Sequence, residues 1–475
     1  MSYRNVCEVI VPNDLCIGCG LCIGVCPPDV LKMQFNEYGE YIPVEYREGC
    51  LPKCDLCLRA CPFWDQEDNE DTLGAASFVA APGVQHRPET GYYQDCYAGY
   101  SNIGDQRING ASGGLATWFL QKLLQEQAAD KVVCVTTNTD PEKQFQFEIL
   151  ERAEDVGKAS RSCYYPVEVG SVIRQIIKTE GKYAIIGLPC FLKGIRLAMR
   201  TNRRLRTRIV ALVGLACGQT KSKFFVEYLS VLSGAEPHAP IQTEFRIKDP
   251  KRPATDFGFR FTWQKENKDE NGAIFWTEGI QKAWTHDYFK PNACNFCDDV
   301  FAEVADVTFM DGWLPQYIPD YRGHSLVINR NPTFKPIWEQ ALASSEIHLE
   351  RIDIDSIIQS QRAVLEAKRD AMPYRLALAA QEGKRTPRKR LAPSYAGAFL
   401  DKHLWRLKLQ ANRQSRSLWA KSKSVKKLHR ALVWLDLQIH LIRFIKRIAR
   451  MIRDGRIRSA LQKRVSRLMR KGMSR

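Results

Sequence analysis

The sequence predicts a multidomain protein, part α+β and part α/β. It has a small cysteine-rich module, a central α/β domain on a mixed, mostly parallel sheet, and a basic helical tail. Three observations predict this. Two runs of four cysteines fall within the first 62 residues. Short apolar runs then alternate with helix-like stretches as far as residue 345. Charge also divides the 475-residue chain: Lys384 to Arg475 holds 28 basic and 3 acidic residues, net +25, and residues 1–383 hold 42 and 50, net −8. Such a split marks a functional boundary near Gly383, and the length exceeds one ordinary core.

The sixteen cysteines come first. The start, Met1 to Cys7, has no apolar signal core, so metal or redox chemistry is expected over disulfides. No uncharged apolar run reaches the roughly 18 to 20 residues of a membrane-spanning helix. The expected location is cytoplasmic, with peripheral attachment to the inner face of the membrane as an alternative.

The first run is Cys16, Cys19, Cys22 and Cys26, followed by Pro27, in the bacterial two-cluster ferredoxin spacing. Three thiolates two residues apart wrap one cubane, and the cysteine before proline serves the other. Gly18, Gly20 and Gly24 let the backbone turn closely around a cluster. The second run is Cys50, Cys54, Cys57 and Cys61, followed by Pro62. It opens with three intervening residues instead of two. A short hairpin, Val30 to Pro43, separates the runs. The expected sets are Cys16, Cys19, Cys22 and Cys61 for one 4Fe–4S cluster, and Cys50, Cys54, Cys57 and Cys26 for the other. A zinc-ribbon pair is the alternative.

The expected divisions are 1–75 for the two-cluster domain, 76–94 for a linker, 95–180 and 181–345 for the two parts of the α/β domain, 346–383 for a helical connector and 384–475 for the tail. Gly110-Ala111-Ser112-Gly113-Gly114 opens a helix running to Leu124. Lys131–Val135, Tyr183–Gly187 and Arg208–Gly214 read as strands, and Val169–Thr179 as a helix. Residues 256–279 alternate aromatic and polar residues about Asn271-Gly272, which suggests a hairpin turn there. Ala305–Phe309 reads as the final strand. The glycine loop lacks GxGxxG spacing and no Walker sequence occurs; helix capping alone accounts for such a loop.

Cys190 and Cys217 each follow a strand, where open α/β sheets place their chemistry. Cys294 and Cys297 form a CxxC pair. These four are candidates for a third cluster; the alternative is two buried cysteines plus a zinc or redox-active pair. Cys7, Cys96, Cys134 and Cys163 lack ligand spacing and read as small buried hydrophobes. No catalytic acid or base stands out; His286 and Asp287 lie shortly before the pair, where either could donate a proton, with a surface histidine as the plainer reading.

The order of the cysteine runs, Ala-Ser-Gly-Gly (111–114), Gly-Leu-Pro-Cys (187–190), Gly-Leu-Ala-Cys (214–217) and Cys-x2-Cys-Asp (294–298) with Ala305-Asp306 resembles the family of beta subunits of coenzyme F420 hydrogenases and dehydrogenases. This group of iron–sulfur flavoproteins includes 7-hydroxymethyl chlorophyll a reductase-like proteins. The resemblance covers roughly residues 1–345. It implies FAD, a glycine loop at Ser112, Gly113 and Gly114 close to the flavin, and a pocket lined by Ser162, Tyr164 and Lys193. It also favours a third 4Fe–4S cluster on Cys190, Cys217, Cys294 and Cys297. Phe191-Leu192 and Ala216 depart from the commoner family pattern.

The implied function is an oxidoreductase that takes electrons from a ferredoxin or another one-electron donor, through clusters, to FAD and an organic acceptor, with surface polysaccharide biosynthesis as one setting. The alternatives are an electron-transfer subunit without its own substrate, and a coenzyme F420-dependent dehydrogenase subunit.

In the tail, Leu428, Leu432, Leu435, Ile439, Ile442, Ile445, Ala449 and Ile452 recur at helical steps among basic residues, with Trp405, Trp419 and Trp434 as further aromatics. The leading expectation is an in-plane helix on anionic lipid. Docking on a partner protein or on the acidic body comes second, and nucleic acid last.

Overall fold

The structure, a computed structural model, describes residues 5–65, 67–237, 241–266 and 268–453. The tail expectation for 454–475 lies outside the described residues. The N-terminal module carries the antiparallel hairpin β1 (Leu31–Phe35) and β2 (Tyr41–Glu45). One helical turn sits in each cysteine run, Leu21–Gly24 and Leu56–Arg59. The module does not stand apart. Val9, Leu21, Leu58 and Phe63 belong to one apolar core with Ile173, Leu192, Ile195 and Leu212. The stretch expected to be a linker is also structured. Helix Glu70–Phe78, capped by Asn69 and Thr72, leads into the small hairpin β3 (Gln85–Arg87) and β4 (Gly91–Tyr93).

The central domain then adds β5 (Asp95–Ser101), β6 (Lys131–Thr137), β7 (Phe145–Leu150), β8 (Tyr183–Gly187) and β9 (Ile209–Leu215). A separate three-stranded sheet follows: β10 (Ile241–Ile247), β11 (Gly258–Lys265) and β12 (Lys268–Phe275). Last come β13 (Val307–Asp311), β14 (Ser325–Asn329) and β15 (Ile347–Arg351). The main sheet runs β15-β5-β14-β13-β9-β8-β6-β7. Its centre, β13, β9, β8 and β6, is parallel, and the strands at both edges are antiparallel. The central strands are covered on both faces, which explains their nearly continuous apolar sequences.

Four sequence expectations are corrected here. Asn271-Gly272 lies inside β12, opposite Thr262 and Phe261, and the pairing continues out to Lys265 opposite Lys268. A Cβ on Gly272 would come within 2.2 Å of the Ser233 carbonyl oxygen, so this glycine serves a close packing contact and not a turn. The strand expected to be last is followed by two more. The connector 346–383 opens with β15, paired to the edge of β5, before turning helical at Ile354–Ser360 and Met372–Gln381. Arg208 ends a helix, and β9 begins at Ile209.

The tail forms two helices, Phe399–Ser422 and Val425–Arg453, folded against each other about Lys423, whose φ is +45°. Trp419, Leu428, Leu432 and Ile439 are fully buried in a core shared with Phe225, Phe259 and Tyr288. The stripe assigned to lipid is thus spent on the protein's own body as far as Ile442. The acidic body explains why. Its carboxylates take the tail's cations: Glu303, Asp298 and Asp71 hold Arg390, and Asp14 and Glu40 hold Arg416.

Candidate cofactor and electron-transfer site

The site begins with the cysteines. Burial raises the Cys16 thiol pKa, and the charges of Cys19 and Cys61 raise it further. Cys22 feels Cys19, Cys16, Cys61 and then Cys57. The structure therefore draws Cys61 to the first run, as the crossed pairing requires. Cys57 in turn feels Cys26 and Cys54. Cys50 packs against the same core. The Gly18 N–H points at the Cys16 sulfur, 3.4 Å away, on a backbone held at φ +77°. Such N–H groups stabilise a negatively charged sulfur.

The four scattered cysteines converge. Burial pushes the Cys190 thiol well up, followed by the charges of Cys297, Cys217, Cys294 and Cys19. Cys190 starts the helix after β8, and Cys217 follows β9. Parallel neighbours bring those two points together, and the short helix Asn292–Phe296 delivers the CxxC pair. The Thr220 hydroxyl lies 3.2 Å from the Cys294 sulfur. Lys368, buried on a π-turn at Glu366–Asp370, donates to the carbonyls of Cys217 (3.1 Å) and Asp299 (2.5 Å). Cys190 shares one apolar core with Cys19 and Cys22, and the charge of Cys19 reaches its thiol, so this group lies on the side of the N-terminal module. Among the described residues, no three His, Cys, Asp or Glu side chains gather closely enough to hold a single metal ion. Cys96 and Cys134 are buried core residues, as expected.

A cavity of about 2620 Å³ opens beyond the carboxyl ends of β8, β9 and β13. One ligand site commonly occupies about 300–1,000 Å³, so this space accommodates more than one molecule. Cys217 and Cys294 line it. At one end lies the loop 110–114. Gly114 has φ +80°, and a Cβ there would stand 2.6 Å from the Gln106 oxygen. The Ala111 carbonyl accepts from Arg246 Nη2 at 2.7 Å, and that guanidinium also reaches Asp311 at 2.6 Å. Ser112 lines the cavity and donates its hydroxyl to the His324 carbonyl. Ser162 and Tyr164 also line it. Tyr164 stacks on Phe259 at 5.2 Å and stands edge-on to Trp284 at 5.4 Å.

Several expected site residues lie elsewhere or do other work. Gly113 does not line the cavity; it fits against β5 and β14, where a Cβ would meet the Gly99 oxygen at 2.4 Å. Lys193 is also absent from the lining. Its ammonium is buried against Glu70 at 3.1 Å, where the α/β domain meets helix Glu70–Phe78. His286 and Asp287 line the cavity but are buried, and each is tied to a charged neighbour. His286 Nδ1 lies 2.7 Å from Asp436 of the tail, and burial lowers its pKa despite that carboxylate. Asp287 pairs with Lys290 at 2.5 Å and Lys408 at 3.5 Å. These two residues fasten the tail.

Sequence reasoning missed the tail's share of the cavity. Leu404, Trp405, Lys408, Leu437 and Phe444 of the tail wall it. It also missed Gln219, whose Nε2 donates to the Trp284 carbonyl at 2.8 Å while its buried Oε1 has no partner among the described residues. The aromatic alternation at 257–263 was the available signal for Phe257 and Phe259.

Comparison with known proteins accords with this geometry. The family described as coenzyme F420 hydrogenase/dehydrogenase, beta subunit, matches residues 96–174 by its N-terminal part and 180–355 by its C-terminal part. A 4Fe-4S binding domain matches residues 9–32. A subunit of the F(420)H(2) dehydrogenase of Methanosarcina mazei is 25% identical over 218 residues, 44% of this chain and 54% of that protein. The coenzyme F420-dependent sulfite reductase of Methanocaldococcus jannaschii is 24% identical over 354 residues, 74% of this chain and 50% of that protein. A ferredoxin of the same organism is 40% identical over 57 residues, 12% of this chain and 69% of that protein. The chain spans about half the length of the first two relatives. It belongs to the family of coenzyme F420 hydrogenase/dehydrogenase beta subunits and carries a 4Fe-4S binding domain near its start.

Proposed function

We infer that the chain is an iron–sulfur flavoprotein oxidoreductase with two 4Fe–4S clusters in the N-terminal module, a third on Cys190, Cys217, Cys294 and Cys297, and FAD in the cavity. The observation that carries this is the convergence of four cysteines, far apart in sequence, between Cys19 and the cavity. The cysteine groups form an ordered row. The Cys22 thiol feels the charge of Cys57, Cys190 feels that of Cys19, and Cys217 and Cys294 line the cavity. When bound, clusters handle single electrons and a flavin exchanges them for pairs.

The residues present fit both groups. Buried thiols with backbone N–H donors suit a cubane. The unpartnered Gln219 Oε1 offers an acceptor to a ring N–H, and the Tyr164, Phe259 and Trp284 surfaces suit a planar ring. Gly114 and Gly110 let the loop fold tightly against the backbone of Gln106 and Arg107, which fixes its place at the cavity. Arg246 holds that loop through Ala111. The tail contributes both apolar side chains, Leu404 and Trp405, and charged ones, Lys408 and Arg443, to the lining.

The electron donor is a ferredoxin or another one-electron carrier, and the acceptor is an organic molecule in the tail-walled part. The alternatives are a coenzyme F420-dependent subunit and an electron-transfer subunit with no substrate of its own. Anaerobic purification with iron, sulfide and flavin analysis tests the reading: about twelve irons and one flavin per chain are expected. Eight irons with flavin removes the third cluster, and twelve irons without flavin favours the pure electron-transfer role. Fewer than eight irons with no flavin overturns the scheme.

A further inference from the structure

The second tail helix, Val425–Arg453, has two apolar faces. The inner one, Leu428, Leu432, Leu435, Ile439 and Ile442, is buried in the body. The outer one runs Trp434, Leu437, Leu441, Phe444, Ile448 and Ile452 at steps of three and four, and is exposed from 37% at Ile448 to 73% at Trp434. At 100° per residue these side chains lie opposite the inner stripe. A helix already fastened by one face needs no second apolar face to fold. Surface helices ordinarily present polar residues there.

Charge indicates what covers it. Residues 399–453 hold fifteen basic side chains and two acidic ones. Both acids turn inward: Asp401 pairs with Lys446, and Asp436 with Lys282, His286 and Tyr288. Lys426, Lys427 and Arg430 remain exposed on this helix, and its outward side has no carboxylate. The sequence beyond Arg453 adds eight basic residues and one acidic. A second copy of the chain would set two such cationic faces against each other. Nucleic acid would use the charges but leave Leu441, Phe444 and Ile448 without purpose. No described helix is long and apolar enough to cross a bilayer.

We propose that this outer face lies in the plane of an anionic lipid surface, with Trp434, Leu441 and Ile448 inserted and the flanking lysines and arginines at the headgroups. The stripe from Trp434 to Ile452 is about 27 Å long at helical rise, a fit for in-plane seating. The predicted lipid helix is thus retained with its faces exchanged. Val433, Leu437, Phe444 and Met451 also line the cavity, so the lipid surface would lie against the cavity's edge. The seating does not depend on any cofactor being bound.

The test is flotation of the full chain with vesicles of phosphatidylcholine and phosphatidylglycerol, and with phosphatidylcholine alone. The triple variant Trp434→Ser, Leu441→Ser and Ile448→Ser keeps every charge and alters only exposed side chains. Its thermal melt confirms folding. The wild type should float with the anionic vesicles and not with the neutral ones. The variant should bind at least about tenfold more weakly, from the loss of three inserted side chains. Three outcomes overturn the proposal. One is no flotation of the wild type. Another is equal binding by the variant, which leaves charge alone as the cause. The third is micromolar self-association abolished in the variant, which gives the face to a second copy.

Discussion

The N-terminal module and the C-terminal tail are both packed on the α/β body, but the tail adds a layer of charge that the module's attachment lacks at its centre. The module merges into the body's apolar core, where Leu21 and Phe63 share packing with Ile173 and Leu192. The tail buries Trp419, Leu428 and Ile439 in a second core of the body, and its Arg390 and Arg416 bind five carboxylates between them, of which Asp14, Glu40 and Asp71 belong to the module. The module carries its own cysteine code within a few residues. The tail carries no chemistry of its own but completes a cavity whose other walls lie elsewhere. A region can therefore be recognised from local spacing when its ligands are local. It cannot when its role is to be the missing side of something else.

The sharpest way to break the contrast is Trp419→Ala. Trp419 is fully buried and donates to Glu227 at 3.0 Å. Its loss should cost about 3–5 kcal/mol, read by denaturant melts. A loss under about 1 kcal/mol would mean that apolar packing does not anchor the tail. Arg416→Met follows. It leaves Glu40 buried without its partner and should cost roughly 3 kcal/mol. If the variant is as stable as the wild type, the charged attachment contributes nothing.

Lys368→Met sharpens the chemical side. Removing a buried cation beside Cys217 and Cys297 should move the reduction potential of the proposed third cluster to more negative values. The potentials of the other two clusters should stay unchanged in an anaerobic titration followed by electron paramagnetic resonance. Lys368→Arg should restore the potential. The smallest effect is a control in the body. Burial and Arg107 hold the His324 imidazole down at about 4. Its neutral form is favoured in the fold, so its contribution to stability is complete above about pH 6.5 and is lost as pH falls toward 4. His324→Gln should flatten the melting temperature over that window; an unchanged slope would assign the acid sensitivity to other groups.

Much of the fold was legible in the sequence. The strands Lys131–Val135 and Tyr183–Gly187 and the helix after Gly114 stand within a residue or two of expectation, because buried parallel strands are apolar without interruption. Asn271-Gly272 misleads because glycine permits both tight turns and close packing, and only the Ser233 contact distinguishes them. The first cysteine run was readable from spacing as a 4Fe-4S binding domain. Cys190 and Cys217 were readable only as strand-end positions, since their meeting depends on the pairing of β8 with β9. Lys193 was misplaced because its partner, Glu70, lies 123 positions away in the chain. The tail's periodicity reveals an apolar stripe but not what it covers. A helix with apolar residues on opposite sides offers two candidates for the lipid face, and the more regular of them is the one committed to the core.

Arg390 reaches across to Asp71, 319 positions earlier in the chain, and Arg416 to Asp14, 402 positions earlier. These contacts set an order of events during synthesis. At about 5–20 residues per second, roughly 15–60 s separate the emergence of Asp71 from that of Arg390. Throughout that interval the cysteine module is made while the strap that will cross it does not yet exist. Iron and sulfide delivery to the proposed clusters would fall within that interval. The late-made tail is in this sense a latch, since its cations can close only on carboxylates made long before them.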